Sequence, residues 1–593
     1  MQLTAGMQTQ EKRPQKRLIE PKKQWAVKPA SENAEPLAKS LKVHPLLAQV
    51  LINRGINDSQ TALAFLQPKL TNLIPPEKMP GVQKALPRIT QAIKEKEKIT
   101  VYGDYDVDGI TGVAILWQLL ILLGADVDYY IPHRIDEGYG LNADAINSIA
   151  DTGTKLIITV DCGINAVKST AFAKNLGLDI IITDHHQPDT QLPDVFAIVH
   201  PALDESYENQ TPAGAVVAFK LAWALANHFN AGEKLNPQLR DFMLNATSLA
   251  AMGTIADVVD IRGENRVIAS FGLKSLPQCR LPGINALIET AGLTGQGLES
   301  YHIGFRLAPM LNAAGRMGHA RLAVELLTSD NEVSSMQIAQ YLKEQNSLRQ
   351  RCERKIFKQA CEMIVQQGLN HPDKKSIVLA NEDWHTGVIG IVASRVIDRF
   401  YRPTILINTS NGIAQGSARS IAGFDILKAI TACSKSLTTF GGHKMAAGIT
   451  IEPDKIQEFI YDFESYAKDN LNYEDVTAKL DIDAMTSLDV FTMETVKQLD
   501  LIEPFGQLNP KPIFAAKGVK LAAHPRRVGA KGDHLQITIT DNKATIRCIG
   551  FKMGKLEKKL LEKEFFSVAF HPQLNTYNGN TNVQLQIRDI QFD

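Results

Sequence analysis

Residues 98–109 read KITVYGDYDVDG, and their reading decides the fold. Ile99-Thr100-Val101-Tyr102 is a β-branched run that predicts a strand. Three aspartates, Asp104, Asp106 and Asp108, alternate directly behind it, and Ile110 to Leu123 then predicts a helix ended by Gly124. Strand, acidic turn and helix recur in kind downstream. Val127–Ile131, Leu156–Val160, Asp179–Thr183 and Phe196–Val199 are further short apolar runs separated by amphipathic stretches. That alternation predicts a parallel sheet covered on both faces. In such sheets ligands sit beyond the carboxyl ends of the strands.

Those ends carry the chemistry. Val160 is followed by Asp161, and Thr183 by Asp184-His185-His186. With the acidic turn after Tyr102, three strands end in Asp or His, and in a parallel sheet they converge on one edge. D-x-D-x-D-G also opens a calcium-binding EF-hand loop, which needs a bidentate Glu at its twelfth position. Counted from Asp104 that position is Ile115, inside an apolar helix, and a strand precedes the turn, so the EF-hand is excluded. The bland alternative is a helix-capping turn with spare surface acids. Clustered carboxylates raise one another's pKa unless a cation sits among them. Oxygen-rich ligands with one imidazole suit Mn²⁺ or Mg²⁺ over zinc. Two such ions about 4 Å apart can clamp an in-line phosphoryl displacement.

Outward from this core, 593 residues allow about three or four domains. Residues 1–42 are polar and basic and read as a disordered tail. A helical lead-in and the first α/β domain occupy 43–330. Asn331 to Gln367 holds neither Gly nor Pro and predicts one long connecting helix, polar in its middle and capped by Gly368. A second α/β domain, 368–475, opens with the strand Ser376–Leu379. In the remaining 476–593, Gln536–Thr540, Thr545–Ile549, Phe566–Phe570 and Asn582–Ile587 predict a small β-barrel.

Composition is that of an ordinary soluble globular chain, 44% hydrophobic and 22% charged. The longest apolar run, Val113–Leu123, is interrupted by Gln118 and falls short of the roughly 20 residues of a membrane span. No apolar segment follows the basic N-terminus to make a signal peptide. The six cysteines form no CxxC pair, a spacing that supports neither a disulfide framework nor a zinc site and makes a reducing cytoplasm the expected home. No G-x-x-x-x-G-K-[ST] occurs, so ATP hydrolysis is not indicated. Net charge is zero, yet Ala515–Leu560 holds eleven Lys/Arg against three acids, a basic face suited to phosphates.

GDYDVDG, Asp161, ITDHH (182–186) and MGTIADVV (252–259) resemble, in order, the motifs of the DHH phosphoesterase family. LNAAGRMG (311–318), NSLR (346–349), WHTGVIGIVASR (384–395), GSARS (416–420) and FGGHKMAAG (440–448) continue the likeness. The later ones resemble the DHHA1 substrate-binding domain that accompanies DHH domains. PFGQLNP (504–510) resembles the start of the C-terminal region of the family's exonuclease members, an oligonucleotide-binding (OB) barrel that grips single strands.

The resemblance implies two ions, Mn²⁺ or Mg²⁺. Asp106 and Asp161, with Asp104, would hold one; Asp108, Asp161, His185 and Asp257 would hold the other. Asp161 would bridge them, with the attacking water between the ions, and His186 would stand behind the ligands or beside the substrate. Tyr102 replaces a His found in some members, leaving the first ion's third protein ligand open. Arg134, before the Gly138-Tyr139-Gly140 turn, Arg316 and His443 would face the scissile bond. Ser417 and Arg419 would form a pocket for a terminal 5′-phosphate, beside Gly441 and Gly442, whose backbone allows close approach. Leu508 stands where the family usually has Gly, and Thr386 where it usually has Pro. The activity implied is a 5′-to-3′ single-strand DNA exonuclease releasing mononucleotides in repair and recombination, served by a helicase and a single-strand-binding protein, with no membrane partner. The alternatives are a phosphodiesterase of short oligoribonucleotides or dinucleotides, and a scaffold that binds single strands without hydrolysis.

Overall fold

The computed structural model describes residues 23–592 apart from 134–136, 138–139, 231–233, 258 and 317–318. The chain divides into two compact units, one built from Trp25–Leu348 with Asp481–Asp593, the other from Arg349–Leu480 with the residues up to Gln24.

The larger unit is organised by a parallel sheet. Its strands are β1 (Lys98–Gly103), β2 (Asp126–Tyr130), β3 (Leu156–Val160), β4 (Asp179–Thr183) and β5 (Ala197–Val199), in the order β2-β1-β3-β4-β5. Both faces are covered, so β1 and β3 are buried along nearly their whole length, which is why they read as continuous apolar runs. Helix α1 (Val107–Leu122) is apolar on nearly every face because it packs on the sheet and against α2 (Gly214–Phe229) and α3 (Pro237–Ala256). Its Gly112 is required there: a Cβ would lie 2.6 Å from Val160. The predicted long helix is α4 (Glu332–Gln366), 35 residues, ending at Gly368 in left-handed backbone (φ 68°).

The smaller unit holds a mixed sheet of β6 (Ile377–Asn381), β7 (Thr404–Asn408), β8 (Ala414–Arg419), β9 (Leu437–His443) and β10 (Ala446–Ile451), in the order β9-β10-β8-β7-β6. Only β6 and β7 are parallel, joined by α5 (Thr386–Phe400).

The C-terminal strands of the larger unit are β11 (Phe514–Leu521), β12 (Arg526–Val528), β13 (His534–Thr540), β14 (Thr545–Gly550), β15 (Phe566–Tyr577) and β16 (Asn580–Gln591). They run β11-β15-β16-β14-β13-β12, and the seam from β13 back to β11 is only Lys520↔Thr540 and Leu521↔Ile539. The expected OB-type barrel is present, weakly closed.

Two boundaries differ from the sequence reading. Within the tail expected to be disordered to residue 42, the described residues form a strand at Gln24–Val27 and a helix at Ala34–Leu41. The cause is burial: Leu37 and Ala38 are core residues. The helical lead-in also packs elsewhere than expected. Leu37, Leu47, Leu51 and Phe65 share one apolar cluster with Phe514, Phe566 and Phe570, so the lead-in completes the barrel's core rather than that of the α/β domain.

The barrel is clasped to the α/β body by buried Arg266. Its guanidinium lies 3.8 Å above the Phe65 ring and donates to the carbonyls of Phe65 (2.6 Å), Ile502 (2.7 Å), Leu501 (3.0 Å) and Glu503 (2.8 Å). Burial lowers its pKa to about 10. Fully buried Asn509 extends the joint, donating to Ile502 and Pro504 (both 2.9 Å) and accepting from Arg54 Nε (2.9 Å). Among the described residues no helix is long and apolar enough to cross a membrane.

Candidate metal centre

The carboxyl edge of the parallel sheet gathers the predicted acids. Directly after β1 the chain turns so tightly that a Cβ at Gly109 would lie 2.6 Å from the Asp104 carbonyl oxygen. Asp106 caps α1, its Oδ1 accepting from the amides of Asp108 (2.9 Å) and Gly109 (3.2 Å). The helix-capping reading of the turn therefore holds for one of the three acids, and it coexists with the cluster. Asp108 is buried at the N-terminus of α2, accepting from Gly214 N (2.5 Å) and Ala215 N (2.9 Å). Asp161, at the end of β3, is buried in left-handed backbone (φ 61°), a conformation that Asp tolerates better than most residues.

His185 ties these groups together. Its Nε2 lies 3.0 Å from Asp161 Oδ1, 3.7 Å from Asp257 Oδ2 and 3.8 Å from Asp108 Oδ2. Asp257 arrives from the end of α3. Three overlapping groups result, each with potential ligand atoms within 4.8 Å of one another: Asp104, Asp106 and Asp161; Asp108, His185 and Asp257; Asp161, His185 and His186.

Burial and then the neighbouring carboxylates push the pKa of Asp106, Asp108 and Asp161 upward. Such a set is costly as bare anions and suits hard divalent cations. Glycines wall the cluster where any side chain would collide with it. A Cβ at Gly214 would lie 2.6 Å from Asp161 Oδ1, and one at Gly253 would lie 2.5 Å from Asp108 Oδ1. Buried Cys162 belongs to none of the three groups, so they contain no soft ligand. The donor set therefore fits Mn²⁺ or Mg²⁺.

Asp184 and His186 form a pair behind the cluster. Burial would raise the Asp184 carboxyl, but His186 Nδ1 at 2.7 Å and the Ile164 amide at 2.9 Å outweigh it and bring it to about 2. Burial likewise opposes the charge on His186, yet the Asp184 hydrogen bond and charge raise it to about 9. His200 Nε2 meets the His186 carbonyl oxygen at 2.8 Å. Tyr102 stands apart: its hydroxyl donates to the Gly140 carbonyl (2.8 Å) and its ring stacks on Tyr130.

Arg134 lies outside the described residues, as do Gly138 and Tyr139. Arg316 ends the helix Ala308–Arg316, which is fastened to the acidic turn. Asn312 Oδ1 accepts from Val107 N (3.1 Å), and a Cβ at Gly315 would lie 2.9 Å from the Tyr105 carbonyl oxygen.

In the smaller unit Ser417 and Arg419 lie two residues apart on β8, hence on one face of the sheet. Gly390 of α5 clears space for both: its Cβ would lie 2.9 Å from an Arg419 guanidinium nitrogen and 3.3 Å from Ser417 Oγ. Thr386, Gly416, Ser417, Thr439, Gly441 and Thr450 line a cavity of ≈ 290 Å³ beside them. Thr386 is the first residue of α5, a position that also accepts Pro, so this departure leaves the helix start intact. Gly442 (φ 145°) and exposed His443 close β9, where a Cβ at Gly442 would lie 2.4 Å from the Ala446 carbonyl oxygen.

Sequence reasoning missed Gly214, Gly253, Asn312 and Gly390 as parts of these sites, and quoted Asp184 without giving it a role. Asp184 had a signal, an acid two residues from a histidine at a strand end. The glycines had none, because their importance is a contact with a carboxylate or guanidinium far away in the chain.

Comparison with known proteins agrees with this geometry. Residues 98–247 match the DHH family N-terminal domain, 373–469 the DHHA1 domain and 482–589 the RecJ OB domain. The chain is 39% identical over 576 residues to the single-stranded-DNA-specific exonuclease RecJ of Bacillus subtilis, covering 96% of this chain and 71% of that protein. It is 34% identical over 556 residues to RecJ of Thermus thermophilus, covering 93% and 76% respectively. The crystal structure of the Thermus thermophilus RecJ in complex with Mn²⁺ superposes with a TM-score of 0.82 at 30% identity, over 96% of this chain and 80% of that one. From the ordered motifs, the acid cluster at the sheet edge and these matches, the chain belongs to the RecJ family of DHH phosphoesterases.

Proposed function

We propose that the chain is a metal-dependent exonuclease that hydrolyses single-stranded DNA from the 5′ end and releases 5′-mononucleotides. The observation that carries this is the convergence of Asp104, Asp106, Asp108, Asp161, His185 and Asp257 at the carboxyl edge of one parallel sheet. The relatives' names, and RecJ structures holding Mn²⁺ or Mg²⁺, support the substrate and the cofactor.

Asp104, Asp106 and Asp161 would hold one ion, and Asp108, Asp161, His185 and Asp257 the other. When bound, the pair supplies Lewis acidity and a water nucleophile at neutral pH. The chain's own residues do the rest. Amides of Gly214 and Ala215 fix the Asp108 carboxylate. The Asp184 hydrogen bond would orient the His186 ring toward the substrate side of the ions. Arg316, on a helix fastened to the acidic turn, and Arg134 and His443 would contact the strand near that phosphate. Ser417 and Arg419, with the backbone of Gly441 and Gly442, would read the 5′-phosphate, and a pocket for a chain end favours exonuclease over endonuclease action. With no ATP-binding loop in the sequence, a helicase would supply the single strand and a single-strand-binding protein would keep it open. Six free cysteines fit a reducing cytoplasm. The RecJ OB match disfavours a phosphodiesterase confined to dinucleotides, and the complete ligand set disfavours a non-catalytic scaffold.

The test is Asp161→Asn, which keeps a side chain tolerant of φ 61°. Release of nucleotides from a 5′-labelled strand should be abolished at saturating Mn²⁺, with calorimetric Mn²⁺ binding weakened and circular dichroism unchanged. Turnover close to that of the parent would refute the bridging role.

A further inference from the structure

The helical run beginning at Ser300 carries an exposed feature that the hydrolytic centre does not use. Ser300–His302 and Ala308–Arg316 are α-helical, and Ile303–Leu307 between them is a π-helical turn. Such turns are rare and recur at functional sites. Tyr301 and Phe305 stand one turn apart with ring centroids 4.9 Å apart and planes at 26°. They are 57% and 69% exposed, while Ile303 and Leu307 of the same segment are fully buried in the unit's core. The aromatic stack is thus the outward face of a well-anchored segment.

Its two ends are held in different ways. Toward the C-terminus, Asn312 and Gly315 hold the run against the acidic turn. Phe305 precedes Asn312 by seven residues, about 10 Å of helix. Toward the N-terminus, Glu299 and His302 form a capping box over the first turn. The stack therefore lies one short stretch of helix from the acidic turn. The paired rings carry no charge, so the recognition they offer is of flat, uncharged faces.

We propose that Tyr301 and Phe305 form a base-stacking platform for the single strand, holding a nucleobase on the approach to the acid cluster. This rests on the function proposed above. Every base has a π-face, so the contact tolerates any sequence, and one stacked base is worth about tenfold or more in affinity.

The experiment uses the full chain with Ca²⁺ in place of Mn²⁺ and fluorescence anisotropy on 5′-phosphorylated oligothymidylate. One abasic site is walked along the strand. For the parent, one or two abasic positions should weaken binding about tenfold. Phe305→Ala should weaken binding of the intact strand by a similar factor and lose the penalty at those positions, while the salt slope, which counts phosphate contacts, stays unchanged. Phe305→Trp should restore both. An abasic profile identical in parent and Phe305→Ala overturns the platform, as does a changed salt slope. The underlying reading is checked separately by Mn²⁺-dependent digestion with the parent. Absent digestion defeats the nuclease, whereas normal digestion with an unaltered abasic profile defeats the platform alone.

Discussion

Leu508 sits in a backbone conformation that its side chain disfavours, and Leu508→Gly should stabilise the joint between the barrel and the α/β body. The amide of Asn509 donates to the Gly506 carbonyl (3.2 Å), closing a four-residue turn in which Leu508 is the third residue with φ 57°. A turn with positive φ at that position is type II and calls for Gly. Holding an L-residue there costs roughly 1–2 kcal/mol. Glycine gives back roughly 0.5–1 kcal/mol through the freer unfolded chain. Leu508 is 52% exposed, so little packing is lost with it. The net gain is about 0.5–1 kcal/mol. Hydrogen exchange reads this locally. Amides that open with the turn, Asn509 first, should exchange about two- to fivefold more slowly. Leu508→Ala is the control, because it removes the exposed apolar group and keeps the strain. If alanine protects as well as glycine, the effect comes from the surface and the backbone argument is wrong. Unchanged or faster exchange in Leu508→Gly would refute it outright.

Gly214→Ala and Gly253→Ala would each drive a methyl against Asp161 or Asp108 at about 2.5 Å, so Mn²⁺ affinity measured by calorimetry should fall, and nuclease activity with it. Arg419→Ala should slow digestion of a 5′-phosphorylated strand by about one to two orders of magnitude, because a charge-assisted hydrogen bond to phosphate is lost. The effect should be much smaller on a 5′-hydroxyl strand, and additive effects of enzyme and substrate changes would place Arg419 elsewhere on the DNA. Glu503 is held up to about 7, by burial first and then by Glu299 and Asp500. Its folded-state pKa exceeds the unfolded value, so the fold binds the extra proton and stability falls as pH rises from about 4.5 to about 7. Glu503→Gln should therefore raise the urea midpoint at pH 8 and leave it unchanged near pH 4, and an equal gain at both would show that charge is not the cause.

What was legible in the sequence follows from the range over which each signal acts. Ile99–Tyr102, Leu156–Val160 and Asp179–Thr183 were readable as strands because a parallel strand buried on both faces writes itself as a continuous apolar run. Asp161 and His185 were readable because strand ends of a parallel sheet share an edge whatever the loops between them. Asp257 lies at the end of a helix, where an acid has no such geometric meaning, and only the family resemblance singled it out. The lead-in was misplaced for the same reason. Its amphipathic pattern says that Leu37, Leu47 and Phe65 are buried, but their partners Phe514 and Phe570 lie more than 440 residues away. A pattern of burial names the face and never the partner. The glycines beside Asp161, Asp108 and Arg419 carry this furthest, since a missing Cβ has no pattern of its own. Leu508 is the intermediate case: the departure from a family glycine was visible in the sequence, and the positive φ supplies its physical cost. Departures from a local backbone rule are therefore worth testing first, because their energy can be worked out without knowing the partner.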